Sequence, residues 1–267
     1  MGFVTEVRLR DSFFKSTDYH AIPGGRKKLE YLFSILEAMR RTRPRMKVLD
    51  VGCGNGALSF AVASLGCEVL GIDVDELSVK HARSANRFPN ARFEAISDEN
   101  FDLKERYDLI ICSEVLEHLH RPAPLLRTMV RHMKDDGLLL ITVPNGYGPR
   151  EIFGRAEKFM RARLGLGTFL DRSRATMRMI DAASKCAVYT SNPDQNHVQK
   201  FTLGPLKELI EKAGLRVVEC VKSIFVFSVV FRTRSEVVDR LDSRLADYLP
   251  RFMVSGWYLL CRKRAGR

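Results

Sequence analysis

The chain has 267 residues, enough for one sizeable core or a core with an appended subdomain. Its 44 Lys+Arg against 32 Asp+Glu give a net charge of +12, which favours an anionic partner or marks no more than a basic protein. Six cysteines with no CxxC pair argue against a disulfide framework or a zinc site, and the charged opening MGFVTEVRLR argues against an export signal, so a cytoplasmic protein is expected.

Residues 26–40, RKKLEYLFSILEAMR, carry apolar residues at helical spacing and predict a helix ahead of the core. Strands and helices then alternate: strand 46–51, helix 56–65, strand 67–74, helix 75–88, strands 91–96 and 107–112, helix 123–133 and strand 137–143. The strand runs are almost continuously apolar, as expected where helices cover both faces of a parallel sheet. The pattern is doubly wound α/β, with ligands expected at the carboxyl ends of the strands. After Pro144 the alternation stops for some fifty residues. It resumes with a helix at 204–214, a strand at 215–221, a charged helix at 235–249 and a final strand at 257–264. The longest apolar run near the C-terminus, IFVFSVVF, is too short to span a bilayer.

VLDVGCGNGAL (48–58) puts Gly52, Gly54 and Gly56 between the first strand and its helix. Glycines there let backbone approach a ligand, with helix N–H groups facing it. As GxGxxA the loop also fits a nicotinamide fold. D-x-G-x-G-x-G starting at Asp50, LGIDVD ending the second strand at Asp73, YDLIICSEVLEH and DDGLLLITVPN together resemble the class I S-adenosylmethionine-dependent methyltransferases over residues 46–146. That resemblance implies a Rossmann-like seven-stranded sheet whose last strand is antiparallel. It implies a cofactor site of Asp50, Gly52, Cys53, Gly54, Gly56, Asp73, Val74 and Ser113, with Asp73 accepting from the ribose hydroxyls. The adenine contact falls on either Ser97 or Asp98, because the usual spacing from Phe93 lands on serine.

SEVLEHLH (113–120) leaves the fourth strand with two carboxylates and two imidazoles. A helical turn there would set Glu114, Glu117 and His118 on one face. Downstream, His197 precedes Phe201-Thr202 and a helix. The combination resembles the ubiquinone-biosynthesis O-methyltransferases and the small-RNA 2′-O-methyltransferases. In the latter, two Glu and two His gather a divalent metal, which implies Glu114, Glu117, His118 and His197 as ligands for Mg²⁺ or Mn²⁺. A metal-free alternative keeps His118 as general base, oriented by Glu117, with His197 packing or capping. A packing role is the third reading, and His120 is read as structural.

Residues 146–200 form an insertion between a core of 46–145 and 201–267, with 1–45 as an N-terminal helical cap. Within it, Ile152, Phe153, Ala156, Phe159 and Met160 share one helical arc, opposite Arg150, Glu151, Arg155, Glu157, Lys158 and Arg161. Eight Lys+Arg against three Asp+Glu between 149 and 180 suit a lid or a peripheral contact with an anionic membrane. The expected function is O-methylation of a small-molecule, lipid-like or sugar hydroxyl. An RNA 2′-O-methyltransferase would explain the charge, but no RNA-binding module is recognisable. A nicotinamide oxidoreductase fits the glycines but not the later motifs, and a non-catalytic cofactor-binding protein stays open.

Overall fold

The computed structural model describes residues 24–149, 152, 159, 197–225 and 236–264. In chain order these form α1 (Gly25–Arg40), β1 (Lys47–Val51), α2 (Ala57–Ser64), β2 (Glu68–Asp73), α3 (Glu76–Ala85), β3 (Ala91–Ala95) and β4 (Tyr107–Ser113). A 3-10 turn, Leu116–His118, leads to α4 (Pro122–His132) and β5 (Met133–Pro144). The later part holds α5 (Leu203–Lys212), β6 (Leu215–Lys222), α6 (Glu236–Tyr248), a second 3-10 turn (Arg251–Met253) and β7 (Gly256–Lys263).

The strands make one seven-stranded sheet in the order β3-β2-β1-β4-β5-β7-β6. β1 to β5 pair in parallel, and β7 runs antiparallel to both β5 and β6. This is the Rossmann-like arrangement expected, last strand included. The chain winds outward from β1 to β3, then returns to β4 on β1's other side. The crevice between the carboxyl ends of β1 and β4 is therefore the switch point where such folds bind ligands.

The period of two explains the continuous apolar runs. Val48, Leu109, Ile111, Leu138 and Leu140 point into one core, shared with α1, α2 and α3. Their neighbours Leu49, Ile110, Leu139 and Ile141 point into the other, shared with α4, α5 and Trp257. α1 joins the first core by Leu29, Leu32, Phe33 and Leu36, the i, i+3, i+4, i+7 stripe of an amphipathic helix. α2 is buried almost all round, which suits its lack of any charged residue.

One strand departs from expectation. β5 begins at Met133, not Gly137, because Met133 pairs with Tyr107 ahead of a register shift. The charged Lys134-Asp135-Asp136 hid that start from a pattern search. Lys134 is there for the adjoining strand: it donates to the buried Asp108 at 2.8 Å, and the Lys47 N–H donates to the same oxygen at 2.9 Å.

Candidate active site

The loop after β1 owes its shape to glycine. Gly52, Gly54 and Gly56 have φ of 74°, 51° and 84°, the left-handed region that side chains avoid. Gly52 also has no room for a side chain, since a Cβ would come within 2.3 Å of Val115 Cγ2. The loop folds over the end of β2: Gly52 and Cys53 N–H donate to the Ile72 carbonyl at 2.8 and 3.0 Å. Gly54 N–H donates to Asp73 Oδ2 at 2.7 Å, and Asp75 N–H to Asp73 Oδ1 at 2.9 Å. A carboxylate has about four acceptor sites, so Asp73 retains capacity for two further donors. It is not the cap of α3; that is Asp75, which accepts from Leu77 and Ser78 N–H.

Asp50 lies beneath the loop, 2% exposed, and accepts from Ser59 Oγ at 2.7 Å. Burial, helped by the nearby Asp73 charge, pushes its carboxyl up to about 6 against the opposing Ser59 hydrogen bond. Burial also pushes the Cys53 thiol far up, so this cysteine packs and does not act as a nucleophile. Val74 follows Asp73 and is exposed. At the next strand end, Ile96 N–H donates to the Asp73 carbonyl at 2.9 Å, which brings Ser97 to this rim. Ser97 and Asp98 are both exposed, and Asp98 Oδ1 accepts the Asn100 N–H at 2.7 Å.

The β4 exit differs from the regular turn expected. Glu114 has φ of 56°, the single positive value among the described non-glycine residues. The 3-10 turn begins only at Leu116, so Glu114 does not continue the face of Glu117 and His118. Its Oε1 accepts from Thr142 Oγ1 at 2.8 Å and from Lys28 Nζ at 3.2 Å. Lys28 also donates to Ser113 Oγ at 3.0 Å, and Ser113 and Thr142 hydroxyls lie 2.9 Å apart. A helix from the N-terminal region is thus tied to the ends of β4 and β5.

Glu117, His118 and His197 do converge: each offers a ligand atom within 4.8 Å of the others. Glu117 is buried, His118 half-buried and His197 exposed. The imidazoles meet edge to face at 5.2 Å, and His118 Nε2 lies 3.9 Å from Glu117 Oε1. The long-range step is made by backbone. Val198 and Gln199 N–H both donate to the Glu117 carbonyl, at 2.8 and 2.9 Å, and Gln199 Nε2 donates to the His120 carbonyl at 3.0 Å. His120 therefore serves through its main chain. Val115, two residues before Glu117, is the residue packed against Gly52, so the cluster and the glycine loop share one end of the sheet. The donor set, one carboxylate and two imidazoles, fits Mn²⁺ or Zn²⁺ at least as well as Mg²⁺.

A family model described as "Methyltransferase domain" matches residues 25–220. The chain belongs to the methyltransferase domain family. The ubiquinone biosynthesis O-methyltransferase of Glaesserella parasuis serovar 5 (strain SH0165) is 40% identical over 108 residues, covering 37% of this chain and 45% of that protein. The mitochondrial ubiquinone biosynthesis O-methyltransferase of Schizosaccharomyces pombe is 36% identical over 102 residues, covering 36% and 37%. The chain thus spans less than half the length of these relatives. Among solved structures, magnesium protoporphyrin IX methyltransferase from Synechocystis PCC 6803 with bound SAH is similar at a TM-score of 0.52 and 16% identity, over 90% of this chain and 84% of that one. An S-adenosylmethionine dependent methyltransferase from Mesorhizobium loti gives a TM-score of 0.52 and 16% identity, over 82% and 91%. At such identities these structures establish the fold.

Two residues of the site escaped the sequence reading. Thr142 is a buried hydroxyl in the apolar run LLLITV, and that polar interruption was the available signal. Lys28 sits in the basic run Arg26-Lys27-Lys28, where nothing separates it from a solvated lysine. Of the insertion's apolar arc, Ile152 and Phe159 are described, and both are exposed. Phe153, Ala156 and Met160, with the opposing Arg155, Lys158 and Arg161, lie outside the described residues.

Proposed function

We propose that this methyltransferase moves the methyl group of S-adenosylmethionine to a hydroxyl oxygen of a small molecule, with a lipid-like quinone precursor or a sugar as the acceptor class. The observation that carries the reading is the convergence of Glu117, His118 and His197 beside a glycine loop that ends on Asp73. The oxygen acceptor is suggested by relatives whose names specify O-methyl transfer in ubiquinone biosynthesis.

Each residue has work that its position supports. The loop backbone at Gly52, Gly54 and Gly56 admits close approach of the cofactor, and the remaining acceptor capacity of Asp73 suits two ribose hydroxyls. Val74 offers an exposed apolar surface to a ring, and Ser97 or Asp98 an acceptor for its amino group. The sulfonium is already a good electrophile, so the protein's task is alignment and removal of the acceptor proton. His118 takes that proton, and the Glu117 carboxylate beside it favours the resulting imidazolium. In the alternative, His118 is a ligand instead of the base: a divalent ion such as Mg²⁺ or Mn²⁺, held by Glu117, His118 and His197, would supply Lewis acidity that eases loss of the acceptor's proton. Segment 146–200 supplies the acceptor's cover in this reading, and its basic face a contact with anionic membrane. The described cysteines are free thiols, compatible with work in the cytoplasm.

Chelation tests the metal. Turnover should vanish in chelator, return with added Mg²⁺ or Mn²⁺, and leave cofactor affinity unchanged. Full activity in chelator, with His118→Ala still inactive, would leave His118 as a plain base and remove the ion.

A further inference from the structure

α6 is amphipathic in the reverse sense. At 100° per residue, Val237, Leu241, Leu245 and Tyr248 fall within an arc of about 80°. Most of that arc faces outward: Val237 is 65% exposed, Leu241 59% and Tyr248 88%, with Leu245 at its edge 37% exposed, and Phe252 in the following turn is 72% exposed. The opposite side of the helix holds Asp239 and Asp242, both buried. The helix is attached through its polar side. Asp239 Oδ1 accepts the Gly24 N–H at 2.9 Å, and Lys27 Nζ donates to the Ser243 carbonyl at 3.0 Å and to Asp247 Oδ1 at 2.7 Å. Lys222 Nζ donates to the carbonyls of Asp247 and Leu249 at the C-terminal end, at 2.6 and 2.7 Å. Of α6 itself, the buried apolar contribution is Ala246, with Leu249 just beyond packed on the same core; the larger apolar side chains point away, and hydrogen bonds and an ion pair supply the rest of the attachment. Its apolar side is left for something else.

The charge around that side indicates what covers it. Arg244, exposed, flanks the arc about 20° from Val237, and the exposed Arg251 adjoins Phe252. No described acid lies on the arc, and Asp247, about 80° from its edge, is held by Lys27. Apolar and aromatic side chains interleaved with arginine suit the boundary between headgroups and acyl chains. A second copy would bring arginine against arginine in a chain of net charge +12, which opposes self-association. We propose that the outer face of α6, with Phe252 and Arg251, docks this protein on an anionic lipid surface. The place is apt. Lys27 holds α6, and the next residue, Lys28, holds Ser113 and Glu114 at the candidate site. The helix is therefore linked through α1 to the ends of β4 and β5. The proposal concerns an element other than the insertion and does not depend on the methyl-transfer reading.

Cosedimentation with vesicles tests it, using phosphatidylglycerol and phosphatidylcholine in equal parts against phosphatidylcholine alone. Wild type should pellet with the anionic vesicles only. Val237→Glu with Leu241→Glu should stay in the supernatant while keeping the wild-type circular dichroism and melting curve, since both side chains are mostly exposed. Arg244→Glu and Arg251→Glu should each weaken binding about fivefold or more. Three results overturn the proposal: wild type that fails to pellet, an α6 variant that pellets as wild type does, or a concentration-dependent dimer in sedimentation velocity that the α6 variant abolishes without any vesicle binding. Should the double variant be unfolded, Tyr248→Ser with Phe252→Ser provides the same comparison at the two most exposed aromatics.

Discussion

Replacing Asp73 with asparagine keeps its volume and removes its charge at the proposed ribose site. In the wild type both oxygens are already engaged from within, by Gly54 N–H at 2.7 Å and Asp75 N–H at 2.9 Å. An amide presents one oxygen, so one of these donors would face an NH₂. The amide would turn its oxygen toward the buried Gly54 N–H, because an unsatisfied buried donor costs about 1–3 kcal/mol. Its NH₂ would then lie toward Asp75, and the acceptor capacity available to a bound diol would be roughly halved. Loss of a hydrogen bond to a charged acceptor costs about 1.5–3 kcal/mol, or about tenfold to a hundredfold in affinity. Calorimetric titration with S-adenosylmethionine should show that loss, while the melting curve falls only modestly. Unchanged affinity in the folded variant would refute the reasoning and take Asp73 out of the cofactor site.

Asp50 gives a pH signature. Its folded pKa is about 6 against an ordinary 3.8, raised first by burial. A raised carboxyl holds its proton longer in the folded state, so wild-type stability should fall between about pH 4 and 6 and level off above. Relative to Asp50→Asn, which has no charge to bury, that fall should reach about 3 kcal/mol for roughly two pKa units. Chemical denaturation of both proteins from pH 4 to 7 measures it, and a difference that does not change with pH would contradict the burial argument. Gly52→Ala should cost about 1–2 kcal/mol for the left-handed backbone and about 1–3 kcal/mol for the Val115 clash. Val115→Ala in the same chain should recover only the second part; a fully stable single variant would mean that the loop is not held as described.

The doubly wound core was legible because the strands buried on both faces are almost continuous apolar runs that alternate with helical segments. β1 to β4 accordingly lie where the apolar runs place them. The glycine loop and Asp73 were legible for a local reason: a left-handed backbone needs glycine, and a strand-end acid needs only its neighbours. The failures share the opposite property. β5 starts early because Met133 pairs with Tyr107, which no local pattern around Lys134-Asp135-Asp136 announces. Glu114 leaves the expected face because a single positive φ interrupts the turn, and Lys28 and Thr142 receive it across long sequence separations. The outward apolar side of α6 was hidden for a related reason. Its spacing is ordinary, and the burial of Asp239, Asp242 and Ala246 shows which side is inward.

The central claim is that Glu117, His118 and His197 activate an oxygen acceptor beside bound S-adenosylmethionine. The most direct measurement follows a tritiated methyl group from S-adenosylmethionine into a panel of catechols, long-chain phenols and sugars, with wild type and His118→Ala run in parallel and cofactor affinity measured for each. The account predicts label on an acceptor oxygen with wild type, and its loss in His118→Ala at unchanged cofactor affinity. Equal labelling by the two proteins, or label found on nitrogen or carbon, would contradict it.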